Sequence, residues 1–269
     1  MSLAGFADKL GATVRRDLLT AVRHRTGFLM TAAGALAEVA AFYYLARAVG
    51  PGFRPEGSDY FPFLLVGTGF YTFLVMGINS FLTIVQEAQQ TGTLEVLMTT
   101  STPPAALLVF SAVSAFAGNT AQLIFYFGAG FLLFRSPLGQ ANLLGGAIVF
   151  ALSLAIAASF GILAAALQLA MQKGSVLVWL LGSGAWFMTG TLFPVASLPR
   201  PLRVLAGMIP ITYSLDGMRL CLLQGADFPA LFHSISVLFL FAATLLPASL
   251  AVFSSTLRRA RLEGTLSFY

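Results

Sequence analysis

Apolar residues run with little interruption through six stretches of the chain, at roughly 27–49, 60–84, 105–134, 143–170, 174–196 and 229–256. At about 1.5 Å of rise per residue each can cross a hydrocarbon layer of about 30 Å, so the pattern predicts six transmembrane helices. Ahead of them Leu3, Phe6, Leu10, Val14, Leu18 and Val22 recur at steps of three or four, with Lys9, Arg15, Arg16, Asp17 and Arg23 largely on other faces. That spacing predicts an amphipathic interfacial helix within residues 1–26, the alternative being an ordinary charged flank to the first span.

Two connections depart from simple turns. Residues 86–104 begin polar, with Glu87, Gln89, Gln90, Thr91 and Gly92, and pass into a short helical pattern through Leu94, Glu95, Val96, Leu97 and Met98. Thr93 suits the N-cap, Glu95 suits the positive end of the helix dipole, and Pro103 and Pro104 suit the opening turn of the next span. Residues 196–229 are too apolar for a solvated loop and too broken by Pro199, Pro201 and Pro210 for one spanning helix. They predict two short helices, over 202–209 and 213–223, the second placing Asp216 and Arg219 three apart on one face, where they could pair. Such a hairpin is either re-entrant, with its ends buried by protein, or an amphipathic surface loop.

Composition agrees with a bilayer as solvent: 58% hydrophobic and 9% charged residues, with a mean hydropathy of +0.86, lie outside the range of soluble domains. The 269 residues leave no room for a separate soluble catalytic domain and show no internal repeat. The expectation is therefore a single all-α membrane domain over 1–269, with spans within 27–256 and a tail at 257–269. The net charge of +5 comes from basic residues flanking apolar runs, which is a topology signal and not one for nucleic acid. Placing Lys9, Arg15, Arg16, Arg23, Arg25, Lys173, Arg258, Arg259 and Arg261 in the cytoplasm leaves Arg47, Arg54, Arg135, Arg200, Arg203 and Arg219 outside. Both termini are thus expected inside, at the inner (cytoplasmic) membrane. The N-terminal segment lacks the apolar core and cleavage site of a secretory signal, so the first span is expected to be retained.

The same reading limits the chemistry. Lys9 and Lys173 are the only lysines and neither ends a glycine-rich phosphate loop, so the chain is expected to be no ATPase and to carry no cofactor itself. His24 and His233 stand far apart without a carboxylate cluster, and the single cysteine, Cys221, allows neither an internal disulfide nor a cysteine zinc cluster, so no metal site is expected. Glu38 lies near the middle of the first span, where a carboxylate costs roughly 2.5–3.5 kcal/mol on insertion scales, and so should face the bundle interior. It reads as a substrate contact or as a packing link. Asn79, Asn119, Gln122 and Gln168 are further polar groups in spans, suited to interhelical hydrogen bonds, and the first three, with Glu38, also to a translocation path. The 25 phenylalanines could line a path for a greasy or sugar-bearing substrate, but such residues more often face lipid or fill the core.

Gly92, Thr93, Leu94 and Glu95 followed by Leu97, Thr99, Thr100 and Pro103 resemble the coupling loop of type-2 ABC exporter permeases. Phe193, Pro194, Leu198 and Pro199, then Pro210, Ile211, Thr212 and Tyr213, then Arg219 and Gly225, resemble that family's stretch between its last two spans. The two motifs come in the family's order, and the resemblance covers essentially the whole chain. It implies two permease subunits, identical or related, forming a path at their interface in the lipid bilayer. Two ATP-binding cassette ATPase subunits, which hold ATP and Mg, would drive them.

On that resemblance Glu87, Gly92, Thr93, Leu94, Glu95, Leu97 and Met98 would couple to the ATPase, the two glutamates facing basic groups and Leu94, Leu97 and Met98 entering a cleft. Phe193, Pro194, Pro210, Tyr213, Asp216 and Arg219 would belong to an extracellular gate, and spans two and five would line the path. The substrate would be a lipid, an amphipathic drug-like molecule or a glycan; the compact outer region favours small amphiphiles. An ion-coupled secondary transporter is the competing class. It would favour paired acidic residues in inverted halves, and the spans hold one carboxylate, Glu38. A membrane scaffold is the third reading.

Overall fold

A computed structural model of the protein describes residues 25–92, 104–134 and 141–263. The expected interfacial helix and the coupling residues Thr93, Leu94, Glu95, Leu97 and Met98 lie outside the described residues. The chain forms α1 (Arg25–Val49), α2 (Tyr60–Gln90), α3 (Pro104–Leu133), α4 (Leu143–Met171), α5 (Gly174–Trp179), α6 (Arg200–Gly207), α7 (Pro210–Leu223) and α8 (Phe228–Glu263). No strand occurs among the described residues.

Of these, α1, α2, α4 and α8 are long and apolar enough to cross a membrane, which makes this a multi-pass membrane protein. The expectation of six spans is met to that extent. With 30 residues, or about 45 Å, α3 has the length of a span. The segment expected to span over 174–196 differs. Its α-helix ends at Trp179, passes into π-helix over Leu180–Gly184 and continues as turns.

The cause is a change of hydrogen-bond partner. Ala185 donates its N–H to the Leu180 carbonyl, at 2.9 Å, rather than to Leu181. The Leu181 carbonyl, released from the helical ladder, accepts from the buried Tyr71 hydroxyl of α2. A side chain from another helix thus satisfies the group that the π-turn orphans.

Because α2 is apolar on every face, it can be surrounded, and it forms the centre of the bundle. It packs against α4, α3, α7 and α1, while α8 packs along α4 and α7. Phe70 and Phe73 of α2 meet Phe150 of α4, the Phe73–Phe150 pair stacking at 5.3 Å. The most buried phenylalanines therefore fill the core. At the periphery, α1 touches the bundle chiefly through Val39, Tyr43 and their neighbours and leaves Leu29, Met30, Leu45 and Val49 exposed. In a membrane these surfaces meet lipid or another apolar chain.

The last helix outruns its apolar stretch. Its 36 residues measure about 54 Å, and its final turns carry Arg258 and Arg259 beyond the hydrocarbon thickness.

Candidate functional site

Three polar groupings are embedded in this apolar fold. The first lies at the Gln90 end of α2. Gln168 of α4 is buried, donates Nε2 to Gln89 Oε1 at 3.3 Å, and accepts at Oε1 from Gln86 Nε2 at 3.5 Å and from the Gly174 N–H at 3.2 Å. One amide thereby joins the ends of α2 and α4 to the first residue of α5. This is the interhelical role expected of Gln168, and it explains why α2 stays helical through the polar residues that follow the apolar run. Glu87 projects into solvent on the same turn, and Gly92 ends the described segment with φ +67°, a left-handed value that suits glycine.

The second grouping is a cavity of about 80 Å³ between α1, α2 and α3. Glu38 comes from α1, Gly69, Thr72, Phe73 and Met76 from α2, and Asn119, Gln122 and Tyr126 from α3. Three of the four residues that the sequence offered to a translocation path, Glu38, Asn119 and Gln122, therefore converge. Asn79 does not: it is exposed and absent from the lining. Thr72 and Tyr126 are additions that no polarity argument marked, since Thr and Tyr are unremarkable within apolar runs. The Tyr126 hydroxyl is held at 3.0 Å from Thr68 Oγ1, which itself donates to the Leu64 carbonyl. The Asn119 Nδ2 is sealed from solvent with no acceptor. On the other side of Thr72 and Met76, which border both spaces, a cleft of about 540 Å³ opens between α2 and the π-segment. It is walled by Tyr71, Val75, Gly182, Trp186 and Phe187.

The third grouping is the α6–α7 hairpin. Pro210 opens α7, where its missing N–H and fixed φ are suited to the first turn. Thr212 Oγ1 donates to the Ala206 carbonyl at 2.8 Å and the Tyr213 hydroxyl to the Gly207 carbonyl at 3.0 Å, tying the two helices at their junction. Tyr213 also meets His233 of α8 edge-on at 5.9 Å. Phe193 and Pro194 lie half-buried before α6, and the Pro194 carbonyl accepts from Ser197.

Arg219 is the hairpin's anchor, at 1% exposure. Its Nε and Nη2 donate to the Phe63 carbonyl at 3.3 Å, Nη2 donates to the Thr191 carbonyl at 3.0 Å, and Cζ stands 3.5 Å from the centroid of the Phe63 ring. The expected pairing with Asp216 is not made; among the described residues the ion pair that forms is Arg54–Asp59, at 3.3 Å. Two backbone carbonyls and the Phe63 ring hold the guanidinium in place of the i,i+3 carboxylate, and its Nη1 is buried without an acceptor among the described residues. Burial pulls the Arg219 guanidinium down to about 10, partly offset by Asp216 and Glu56. Burial and the Glu56 carboxylate push Asp216 up to about 7, with Arg219 opposing.

The fold thus presents a hydrogen-bonded bridge at the Gln90 end of α2, a polar cavity and an apolar cleft beside the middle of that helix, and a hairpin held by Arg219. No curated protein matches the sequence. The family profile described as ABC-2 family transporter protein matches residues 44–251, well over half of the chain, and the chain belongs to that family. It is a membrane transport protein.

Proposed function

We propose that this ABC-2 family member is the permease subunit of an ABC exporter, working as a dimer with an identical or related permease and driven by two separate ATPase subunits that bind ATP and Mg. Both termini lie in the cytoplasm at the inner membrane, and α3 and the α5 to π-segment complete six crossings with α1, α2, α4 and α8. Residues 86–102 dock the ATPase. Glu87 and Glu95 meet basic groups on it, Gly92 and Thr93 belong to the docking segment, and Leu94, Leu97 and Met98 enter its cleft.

The observation that carries this reading is the glutamine bridge. Gln86 and Gln89, at the head of the docking segment, share Gln168 with Gly174, so a displacement of that segment pulls on α5 as well as on α2. The 540 Å³ cleft is walled by α2 and by the π-segment and turns that continue α5. ATP-driven movement would then change the cleft itself, and a ligand favouring one of its shapes would be carried. Phe193, Pro194, Pro210, Tyr213, Asp216 and Arg219 form the outer gate, closed by the Arg219 staple. An apolar cleft with one polar end suits a lipid or an amphipathic drug-like molecule; a glycan exporter is the second reading within the family.

The test is co-purification of the chain with its candidate ATPase, comparing wild type with a Glu87→Ala, Glu95→Arg double variant. Wild type should assemble and support ATP hydrolysis in nanodiscs, while the variant should express normally and lose both. Failure of wild type to bind the ATPase would favour ion-coupled transport.

A further inference from the structure

We infer that the cavity between α1, α2 and α3 is the head-group site of the transport ligand and selects a primary ammonium, making the preferred substrates cationic amphiphiles; this deepens the exporter reading and rests on it. Three observations lead there. The cavity holds one acidic group, the Glu38 carboxyl, and no lysine, arginine or histidine lines it. Among the described residues Glu38 has neither an ion pair nor a hydrogen bond. A carboxylate at membrane depth without a counter-charge is a costly arrangement that a bound cation relieves.

The remaining polar groups supply acceptors. Asn119 and Gln122 present amide groups, and neither amide oxygen accepts a hydrogen bond among the described residues. With Glu38 they offer three acceptors, the number of N–H donors on a primary ammonium. About 80 Å³ accommodates such a head and excludes a bulky one.

The third observation is adjacency. Thr72 and Met76 separate the polar cavity from the cleft and line both, so a molecule with its ammonium at Glu38 would lay its chain across these two side chains toward Trp186 and Phe187. Charge in a small polar cavity and hydrocarbon in a large aromatic one is the division that an alkylamine needs.

The experiment uses the full chain, assembled with its ATPase in nanodiscs, and a dodecylamine bearing a diazirine in its chain, with the matching dodecanol as neutral control. In wild type the amine should label residues 182–187 saturably and the alcohol should not. Glu38→Gln should raise half-saturation at least tenfold, and Gln122→Leu several-fold, at unchanged thermal unfolding temperature. If Glu38→Gln does not fold, the Gln122→Leu result decides. Equal labelling by amine and alcohol, or no change in the folded variants, overturns the inference, and so does displacement of the amine by sodium ions, which would mark an inorganic cation site. ATPase assembly is measured on the same samples. Intact assembly without amine selectivity removes this inference alone, whereas a wild type that does not assemble removes the exporter reading and the inference with it.

Discussion

The guanidinium of Arg219 occupies the space that a side chain at Gly67 would need. A Cβ built on Gly67 would clash with Nη2, lie 3.0 Å from Cζ, and stand 2.7 Å from the Thr191 carbonyl oxygen. Glycine is required here for closeness of approach. Gly67→Ala should evict the guanidinium from its carbonyls and destabilise the protein by about 3–5 kcal/mol, the scale of stranding a buried charge. Arg219→Lys should also destabilise, because an ammonium cannot reproduce the fork that reaches Phe63 and Thr191 together. Thermal unfolding in detergent measures both; a Gly67→Ala protein melting within a degree or two of wild type would refute the staple.

Asp216 makes stability depend on pH. Its folded-state value, about 7, is raised above the ordinary carboxylate range by burial first and by Glu56 second. The folded protein therefore favours the protonated acid, and this contribution is complete below about pH 4 and is lost as pH rises through 7. The unfolding temperature of wild type should fall between pH 5 and pH 8 more steeply than that of Asp216→Asn. Parallel curves for the two proteins would exclude Asp216 as the source.

Gln168→Leu should separate docking from transmission. It removes the acceptor of the Gly174 N–H and the donor to Gln89, at a cost of about 1–3 kcal/mol for buried groups left unpaired. Co-purification with the ATPase should persist, while transport per ATP hydrolysed drops several-fold. Transport at the wild-type ratio would show that the bridge transmits nothing.

Asn142 caps α4, accepting from the Gly145 N–H at 2.9 Å, and its Nδ2 donates to the Ala226 carbonyl at 2.9 Å. It therefore ties the start of α4 to the α7–α8 connection. Asn142→Ala should cost about 0.5–2 kcal/mol, and Asn142→Asp, which keeps the cap but loses the donor to Ala226, should fall between it and wild type in thermal unfolding.

Much of the fold was legible because the bilayer demands long apolar runs. The runs at 60–84 and 143–170 became α2 and α4, while the hairpin helices expected over 202–209 and 213–223 begin earlier, at Arg200 and Pro210. Local pattern could not show where the ladder of the fifth segment breaks, since the cause is Tyr71, 110 residues away from its acceptor. Arg219 illustrates the same limit. Sequence proximity offers Asp216 three residues back, whereas the true acceptor carbonyls are 156 and 28 residues distant. Glu38, Asn119 and Gln122 stood out singly as polar residues in apolar runs. Their convergence, and the exclusion of Asn79, depend on how α1 and α3 rotate against α2.

The Arg219 staple also bears on how the chain can be made. Both of its acceptor carbonyls, at Phe63 and Thr191, precede it in the chain, and so does the vacancy at Gly67. By the time residue 219 leaves the ribosome, every group that shelters its charge has been synthesised. α7 can dock during co-translational insertion, and α8, the next helix made, then closes over α4 and α7. The order of synthesis spares the nascent protein a guanidinium waiting in lipid for a partner still to come.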